Sequence, residues 1–565
     1  MYISNTYCGF EYRKVINLKL FKINSHLIGV FLAFSEFIYF LIQSRWDPDP
    51  YHDGFVYVQA LASSQGKLPN RDFLAIYGPL NPVIQGIWLN LVNNSLLSLR
   101  IFTSIILCLT GLLIYAGIKK YFGNSISILI SLIWAIGNPL TTTPVLPWPN
   151  IILSLLLVVS IFLISGNNQG KVKNYFYVAI LVTLGIFVRN VSIISLLLIL
   201  FTIYLKKENQ KKILISFISG VSITLLFLFL LMVRFQLWDD FYLQTIKYGF
   251  SLSHKDRNIR GVVNFRIVLF GILFIFLCTI LRDFHIRSKK SATIKIANFL
   301  LTGTLALTIL YSGTLQISRN QNDAATLSFY HNIKLFMENI AYMPLYFFVF
   351  ACIIIFIRNI LPKFNLNQKT NFTILAIALS SLTQLYPGAH AARIWFSLPV
   401  LIIGTAPSIN EYLGSKKMEY LAASKYILIP TLISYLIVFN NQAHLPRIAY
   451  SNQVLAGMQG DARKVIPIDA TLFNLEKFGI VGEIEFRCPI AIYSIAGKKY
   501  MSIDNYYVTL IPPLIHQQKL AKQIFFCDQN QPIRELFDNN SYRVVFMNAA
   551  EYPHVDKVNF LIERK

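Results

Sequence analysis

Apolar runs of about 15 to 23 residues recur through most of this chain, and that repetition restricts its fold more than any other feature. A hydrocarbon core of ~30 Å is crossed by about 20 helical residues. Inside it every backbone N–H and C=O must find its partner within the protein, so repeated apolar runs become packed helices. The runs fall at 25–43, 98–118, 124–138, 150–166, 174–188, 190–205, 213–234, 263–281, 294–313, 341–358, 371–386, 393–408 and 425–441. They predict an all-α polytopic membrane protein with about 13 transmembrane helices. Composition agrees: of 565 residues 55% are hydrophobic and 14% charged, and mean hydropathy is +0.52, outside the range of a soluble globular chain. The first run follows a basic flank (Arg13, Lys14, Lys19, Lys22) and has no small-x-small cleavage site, so it reads as a retained anchor.

The net charge of +24 would, in a soluble protein, point to nucleic acid. Its distribution points elsewhere. Basic residues gather in short connections: Lys119-Lys120, Lys171/Lys173, Lys206-Lys207/Lys211-Lys212, Arg282/Arg287/Lys289-Lys290, Arg358/Lys363/Lys369 and Lys416-Lys417/Lys425. With a cytoplasmic N-terminus and every run spanning, each cluster lands on the cytoplasmic face, as the positive-inside rule requires. Topology and anionic lipid account for the charge, and no nucleic-acid partner is expected. The implied layout is a cytoplasmic tail over 1–24, a transmembrane domain over 25–441 and an extracytoplasmic domain over 442–565. Usage rich in lysine, asparagine and isoleucine fits an AT-rich bacterial genome, hence a bacterial inner membrane.

Segment 81–96 is apolar enough to tempt a span, but counting it would invert every later loop. It reads better as an amphipathic helix in the outer interface, with Ile84, Ile87, Trp88 and Leu91 on its buried face. Segment 54–66, opening after Asp53-Gly54 and ending at Gly66, reads as a second. The first outer loop, 44–97, then carries two juxtamembrane helices and a carboxylate cluster. Asp47, Asp49, Asp53 and Asp72 lie within 26 residues, in a chain with 27 acidic residues altogether. Carboxylates held against a bilayer are paired, solvated or functional. Asp53 opens a predicted helix, whose dipole favours an ionised carboxylate; that place equally suits an N-cap. Asp47 and Asp49, flanked by Pro48 and Pro50, shape the loop or touch a ligand. Arg71-Asp72 suits an internal salt bridge.

Further outer loops are predicted at 144–150 (PVLPWPN), 189–190, 238–262, 316–339 and 386–393 (YPGAHAAR). Arg189 interrupts the apolar stretch GIFVRNVSI, where a cation is expensive without an anionic partner. Its planar fork suits phosphate; it also suits a helix break at which the side chain reaches interfacial water. His390 and Arg393 could act similarly or be ordinary interface residues. Residues 442–565 alternate strand-like runs (AIYSI, YRVVFMN) with helical candidates (HQQKLAKQIFF, PIRELFD), which predicts a small C-terminal α/β domain. Cys488 and Cys527 lie within it and could pair in an oxidising compartment. Cys108, Cys278 and Cys352 sit within spans and read as packing residues. CxxC, HExxH, Walker-type and GxSxG motifs are missing from the sequence.

His52-Asp53-Gly54, Gly66, Arg71-Asp72-Phe73 and Tyr77-Gly78-Pro79-Leu80, following a single first span, resemble the first outer loop of the GT-C membrane glycosyltransferases. The likeness is greatest to bacterial members that use polyprenyl-phosphate sugars, related to the protein O-mannosyltransferases and the lipid A aminoarabinose transferases. Tyr386-Pro387 is a further partial match. The resemblance extends over 25–400 in architecture, although only the first outer loop carries specific motif content. It implies an inverting transfer of a hexose or pentose from a polyprenyl-phosphate donor to an extracytoplasmic glycan, lipid or protein. It also implies that Asp53 is the base. Such a transfer needs a base for the acceptor's proton and cationic or metal stabilisation of the leaving phosphate. Asp49, His52, Arg71, Asp72, Tyr77, Arg189, His390 and Arg393 are the candidate substrate contacts, with Arg189 on the phosphate. The aromatic residues Trp46, Tyr51, Tyr57 and Tyr77 suit sugar stacking or an interfacial belt. Members of the fold often carry a second acidic residue in the next outer loop; here 140–150 has none, which leaves use of a divalent metal open. Two rival readings fit less well. A lipid-linked glycan transporter or flippase would line its path with polar residues, and mid-span ionisable groups are few here. An O-antigen polymerase or ligase keeps its key arginines and large loop late in the chain, whereas this chain concentrates its signal after the first span.

Overall fold

In a computed structural model of the chain the described residues are 25–48, 52–73, 75, 77–138, 145–165, 171–204, 209–248, 371–385, 391–413, scattered positions between 425 and 436, 447–451, 455–461, and four strands between 484 and 564. In chain order the helices are α1 (Ser25–Ser44), α2 (His52–Ser64), α3 (Leu80–Leu91), α4 (Leu96–Ile136), α5 (Pro149–Ile164), α6 (Val172–Val188), α7 (Ile193–Tyr204), α8 (Gln210–Arg234), α9 (Trp238–Phe241), α10 (Asn371–Ser380) and α11 (Ala391–Leu413). α1, α4 and α8 are long and apolar enough to cross a membrane, and α5, α6, α7, α10 and α11 contribute shorter apolar helices. The predicted runs 98–118 and 124–138 are both parts of α4. They are separated by a break at Gly123, whose φ of 78 lies in the left-handed region that glycine enters without steric penalty. The predicted spans 263–281, 294–313 and 341–358 lie outside the described residues, as does most of 425–441.

The helices turn their polar groups inward. Glu36 of α1 is buried and accepts a hydrogen bond from Ser131 Oγ of α4 at 2.7 Å. The Trp134 and Trp395 rings stack at 5.1 Å, and each indole N–H donates to the other's carbonyl, joining α4 to α11. Ser154 of α5 meets Gln384, and Ser381 meets Ser397 of α11. Large apolar side chains such as Phe31, Phe34 and Phe227 point outward. That inversion of the soluble pattern is what a hydrocarbon surround selects, because polar groups there need partners inside the protein.

Both juxtamembrane helices form where the sequence predicts them, as α2 and α3. α3 divides into two faces. Ile87 and Leu91 are 56% and 77% exposed, whereas Asn81 and Gln85 are buried. Ile84 and Trp88 pack partly buried against the core, and the amides of Asn81 and Gln85 lie inside the protein. Asn81 Nδ2 donates to Gln85 Oε1 at 3.1 Å, and Gln85 Nε2 donates to the Pro147 carbonyl at 2.9 Å.

Beyond the helices, β1 (Arg447–Ala449) and β2 (Gln459–Asp461) form an antiparallel pair. β3 (Ile484–Arg487), β4 (Gln523–Phe526), β5 (Tyr542–Asn548) and β6 (Asn559–Arg564) make a mixed sheet in the order β3-β4-β6-β5. β3 runs parallel to β4, and the other pairings are antiparallel. YRVVFMN is β5. The helical candidate HQQKLAKQIFF ends instead as β4, where Ile524 and Phe525 have the β-branched and aromatic character that suits a sheet. Cys488, Cys527, AIYSI and PIRELFD lie outside the described residues.

Candidate active site

Asp53 sits in the first turn of α2 and is completely buried. Its partner is Arg100, near the start of α4 and also completely buried. Arg100 Nε donates to Asp53 Oδ1 at 3.1 Å, and Nη2 contacts Oδ2 directly. The same guanidinium collects three carbonyls from the end of α1 and the loop after it: Nη1 donates to Ser44 O at 3.2 Å and Trp46 O at 2.6 Å, and Nη2 to Asp47 O at 3.3 Å. A planar fork with five N–H groups can serve a carboxylate and a string of carbonyls together, and an ammonium could not. Arg100 thus fixes the carboxylate of Asp53 relative to the loop that precedes it.

A second buried guanidinium stands at the break between α6 and the short 3-10 turn Asn190–Ser192. Arg189 is 1% exposed and lies over the Tyr77 ring at 5.8 Å. Its Nη1 donates to Asn150 Oδ1 on the first turn of α5. The Asn150 Nδ2 has no hydrogen-bond partner among the described residues. Burial pushes the Arg189 guanidinium down to about 9 and the charge of Arg393 pushes the same way, against Tyr77.

Aromatic rings link His52, the chain neighbour of Asp53, to Arg189. His52, next to Asp53, meets Trp148 at 5.2 Å; Trp148 meets Tyr77 at 5.7 Å; Phe55 meets Tyr77 edge-on at 6.4 Å. Trp148 is the N-cap of α5, and Pro149 after it starts the helix with the φ it already holds. The Tyr77 backbone is held from behind, where its carbonyl accepts from Asn190 N at 3.0 Å. Gly78 follows at φ +150, packed so closely on the Phe187 carbonyl that a Cβ would overlap it. A π-helical turn, Tyr242–Tyr248, supplies a further latch. Asn70 Nδ2 donates to Gln244 Oε1 at 3.1 Å, Gln244 Nε2 donates to Asn70 O at 2.6 Å, and Asn190 Nδ2 donates to Thr245 O at 2.9 Å.

The structure therefore links His52, Tyr77 and Arg189 through Trp148, with the charge of Arg393 acting at Arg189, while Asp53, the chain neighbour of His52, is paired with Arg100. Arg71 and Asp72 stand apart. They pair with each other at 3.0 Å on an exposed edge, and Asp72 Oδ2 accepts the Leu68 amide at 2.7 Å. Partial burial pushes the Asp72 carboxyl up, but Arg71, the Leu68 amide and Lys67 outweigh it and leave the group below its ordinary value. Asp49, Tyr51 and His390 lie outside the described residues. Among the described residues no three or more His, Cys, Asp or Glu side chains converge as a metal site. Sequence reasoning did not single out Arg100, Trp148 or Asn150. Arg100 was findable, as a lone cation in the apolar run LSLRIFTSII just after an acidic loop. Asn150 carries no charge and gives no such signal.

Residues 77–238 match the family model described as dolichyl-phosphate-mannose-protein mannosyltransferase. Over that stretch the chain is similar to the membrane glycosyltransferases that its first outer loop resembles. Tyr77, Arg100, Trp148, Asn150 and Arg189 fall inside the match, and His52 and Asp53 precede it. Two crystal structures of ArnT from Cupriavidus metallidurans, one bound to undecaprenyl phosphate and one in the apo state, superpose on 95% and 94% of this chain and 97% of their own, at 10% identity and TM-scores of 0.45 and 0.44. No curated protein matches the chain in sequence.

Proposed function

We propose that the chain is an integral membrane glycosyltransferase that takes a sugar from a polyprenyl-phosphate-linked donor and passes it to an extracytoplasmic glycan, lipid or protein. The observation that carries this reading is the path of rings from His52, the residue before a buried carboxylate, to a buried guanidinium. It runs from His52, beside Asp53, through Trp148 and Tyr77 to Arg189 in steps of 5.2, 5.7 and 5.8 Å. Transfer from a lipid phosphate needs those two charges at opposite ends of the sugar. An acceptor hydroxyl oxygen attacks the anomeric carbon and its proton goes to Asp53. The bond from that carbon to the phosphate oxygen breaks, and the electron pair leaves on the phosphate, where Arg189 and Arg393 balance the charge. The family match over 77–238 supports the donor class.

Arg100 orients Asp53 without exhausting it, because each carboxylate oxygen keeps lone pairs beyond the contacts Arg100 makes. Asp53 is sealed from solvent, so acceptor and base meet in a more open arrangement of the outer loop. We place the protein in a bacterial inner membrane, with the N-terminus cytoplasmic and 442–565 outside; the sidedness of the lysine clusters supports this. Complete burial of the Asp53–Arg100 pair favours one other reading, in which the pair only bolts α2 to α4.

The test is complementation of a deletion strain with Asp53→Asn, with surface glycans profiled by mass and protein measured in membranes. Loss of one sugar increment at a normal protein level is the expected result and identifies the sugar. An intact glycan profile would remove Asp53 as the base. Should the deletion itself leave surface glycans whole while lipid-linked precursors accumulate inside, the protein moves lipid-linked glycan and transfers nothing.

A further inference from the structure

The chain returns to its first outer loop near its other end. Tyr450, Leu455 and Met458, in and beside the turn between β1 and β2, are buried in the main core. This seats the hairpin on the helical part of the protein. β2 then pairs with the loop itself. Asp47 N donates to Gln459 O at 2.8 Å, Gln459 N donates to Arg45 O at 2.7 Å, and Trp46 bridges Gln459 in parallel. Residues 45–47 thus meet the edge of the hairpin in a single parallel bridge. The side chains repeat the grip: Arg447 Nε and Nη2 lie 3.4 Å from Asp47 Oδ2, and the guanidinium covers the Trp46 ring at 4.2 Å. Both members of the ion pair are more than nine-tenths buried, at 7% and 8% side-chain exposure.

The held segment is the one Arg100 reads. Trp46 and Asp47 supply two of the three carbonyls on the Arg100 guanidinium, whose remaining N–H groups set the Asp53 carboxylate. Asp47 has a φ of 41, a left-handed backbone that a non-glycine residue keeps when its surroundings over-determine it. Here Arg447 and Gln459 do so. We infer that Arg447 is a positioning residue for Asp53, acting through Asp47 and Arg100; this rests on Asp53 being the base. Residues 447–461 would then be part of the machinery that aims the base, in addition to any role in covering the site. Arg447 holds Asp47 and Trp46, so its effect passes through the backbone of 45–47.

The experiment compares Arg447→Met, Arg447→Lys, Asp47→Asn, the double variant Asp47→Asn/Arg447→Met and Asp53→Asn in the deletion strain. Sugar increments are normalised to membrane protein, and melting is followed on the purified full chain. Arg447→Met should lower transfer per folded molecule by on the order of 10- to 100-fold, the size expected when a reacting group is misplaced by about 1 Å. Arg447→Lys should recover part of it. Asp47→Asn should fall similarly, and the double variant no further than either single, because all three break one link. Wild-type transfer by Arg447→Met would overturn the proposal. So would a loss explained wholly by lower protein level or earlier melting, which marks Arg447 as structural only. Full transfer by Asp53→Asn would remove the base reading and the positioning role with it, and that result is distinct from the outcomes at Arg447.

Discussion

Replacing Arg100 by Gln, Asp53 by Asn and then both tests the buried pair as a stabilising unit and as chemistry. Arg100→Gln leaves the Asp53 carboxylate buried without its cation, which costs on the order of 3–5 kcal/mol. It also strips donors from the Ser44, Trp46 and Asp47 carbonyls, adding about 1 kcal/mol for each that water cannot reach. Asp53→Asn leaves Arg100 with those three carbonyls and an amide oxygen, so it belongs at the low end of about 3–5 kcal/mol. The arginine variant should therefore be the less stable single by roughly 2–3 kcal/mol. The double variant removes both charges and should be more stable than Arg100→Gln by about 2 kcal/mol or more. The assay is retention of monodisperse protein in detergent across a temperature series, alongside glycan profiles from complemented cells. Stability should return in the double variant while transfer does not, since the base is still missing. Additive losses, or a single variant as stable as wild type, would refute the buried coupling. Restored transfer in the double variant would show that Asp53 matters only as a bolt.

Gly78→Ala should cost on the order of 1–3 kcal/mol or more and displace Tyr77, because its Cβ would overlap the Phe187 carbonyl at a φ of +150. A wild-type membrane level together with wild-type transfer would contradict that close approach. Arg189→Gln should reduce transfer on the order of 100-fold, the size of losing a charge-stabilising donor. It should also abolish the rise in melting temperature that a synthetic polyprenyl phosphate gives the wild-type protein. An equal rise in both proteins would take Arg189 out of phosphate binding.

Much of the scaffold was legible because periodicity and run length are local. α2 and α3 lie within a few residues of their predicted bounds, and the two runs that α4 contains were separated by the glycine where it breaks. Arg189 was legible because a cation in an apolar stretch is conspicuous. Its partner Asn150, on another helix, was not. The Asp53–Arg100 pair joins positions 47 apart, and the hairpin joins positions 400 apart. Neither spacing leaves a periodic trace, so only assembled coordinates could reveal them.

That last separation has a consequence for synthesis. The N–H of Asp47 and the C=O of Arg45 belong to one of the first loops to emerge, yet their backbone partner is Gln459. Until residue 459 is made and folded back, the loop beside Asp53 lacks its hairpin edge, and Asp47 lacks the grip of Gln459 and Arg447 on its left-handed turn. A nascent or truncated chain already inserted through α8 would carry the aspartate, the arginine on α4 and the aromatic rings, and still lack the part that aligns them. If the base is aimed as inferred, full competence arrives late, and an incomplete copy in the membrane turns over slowly.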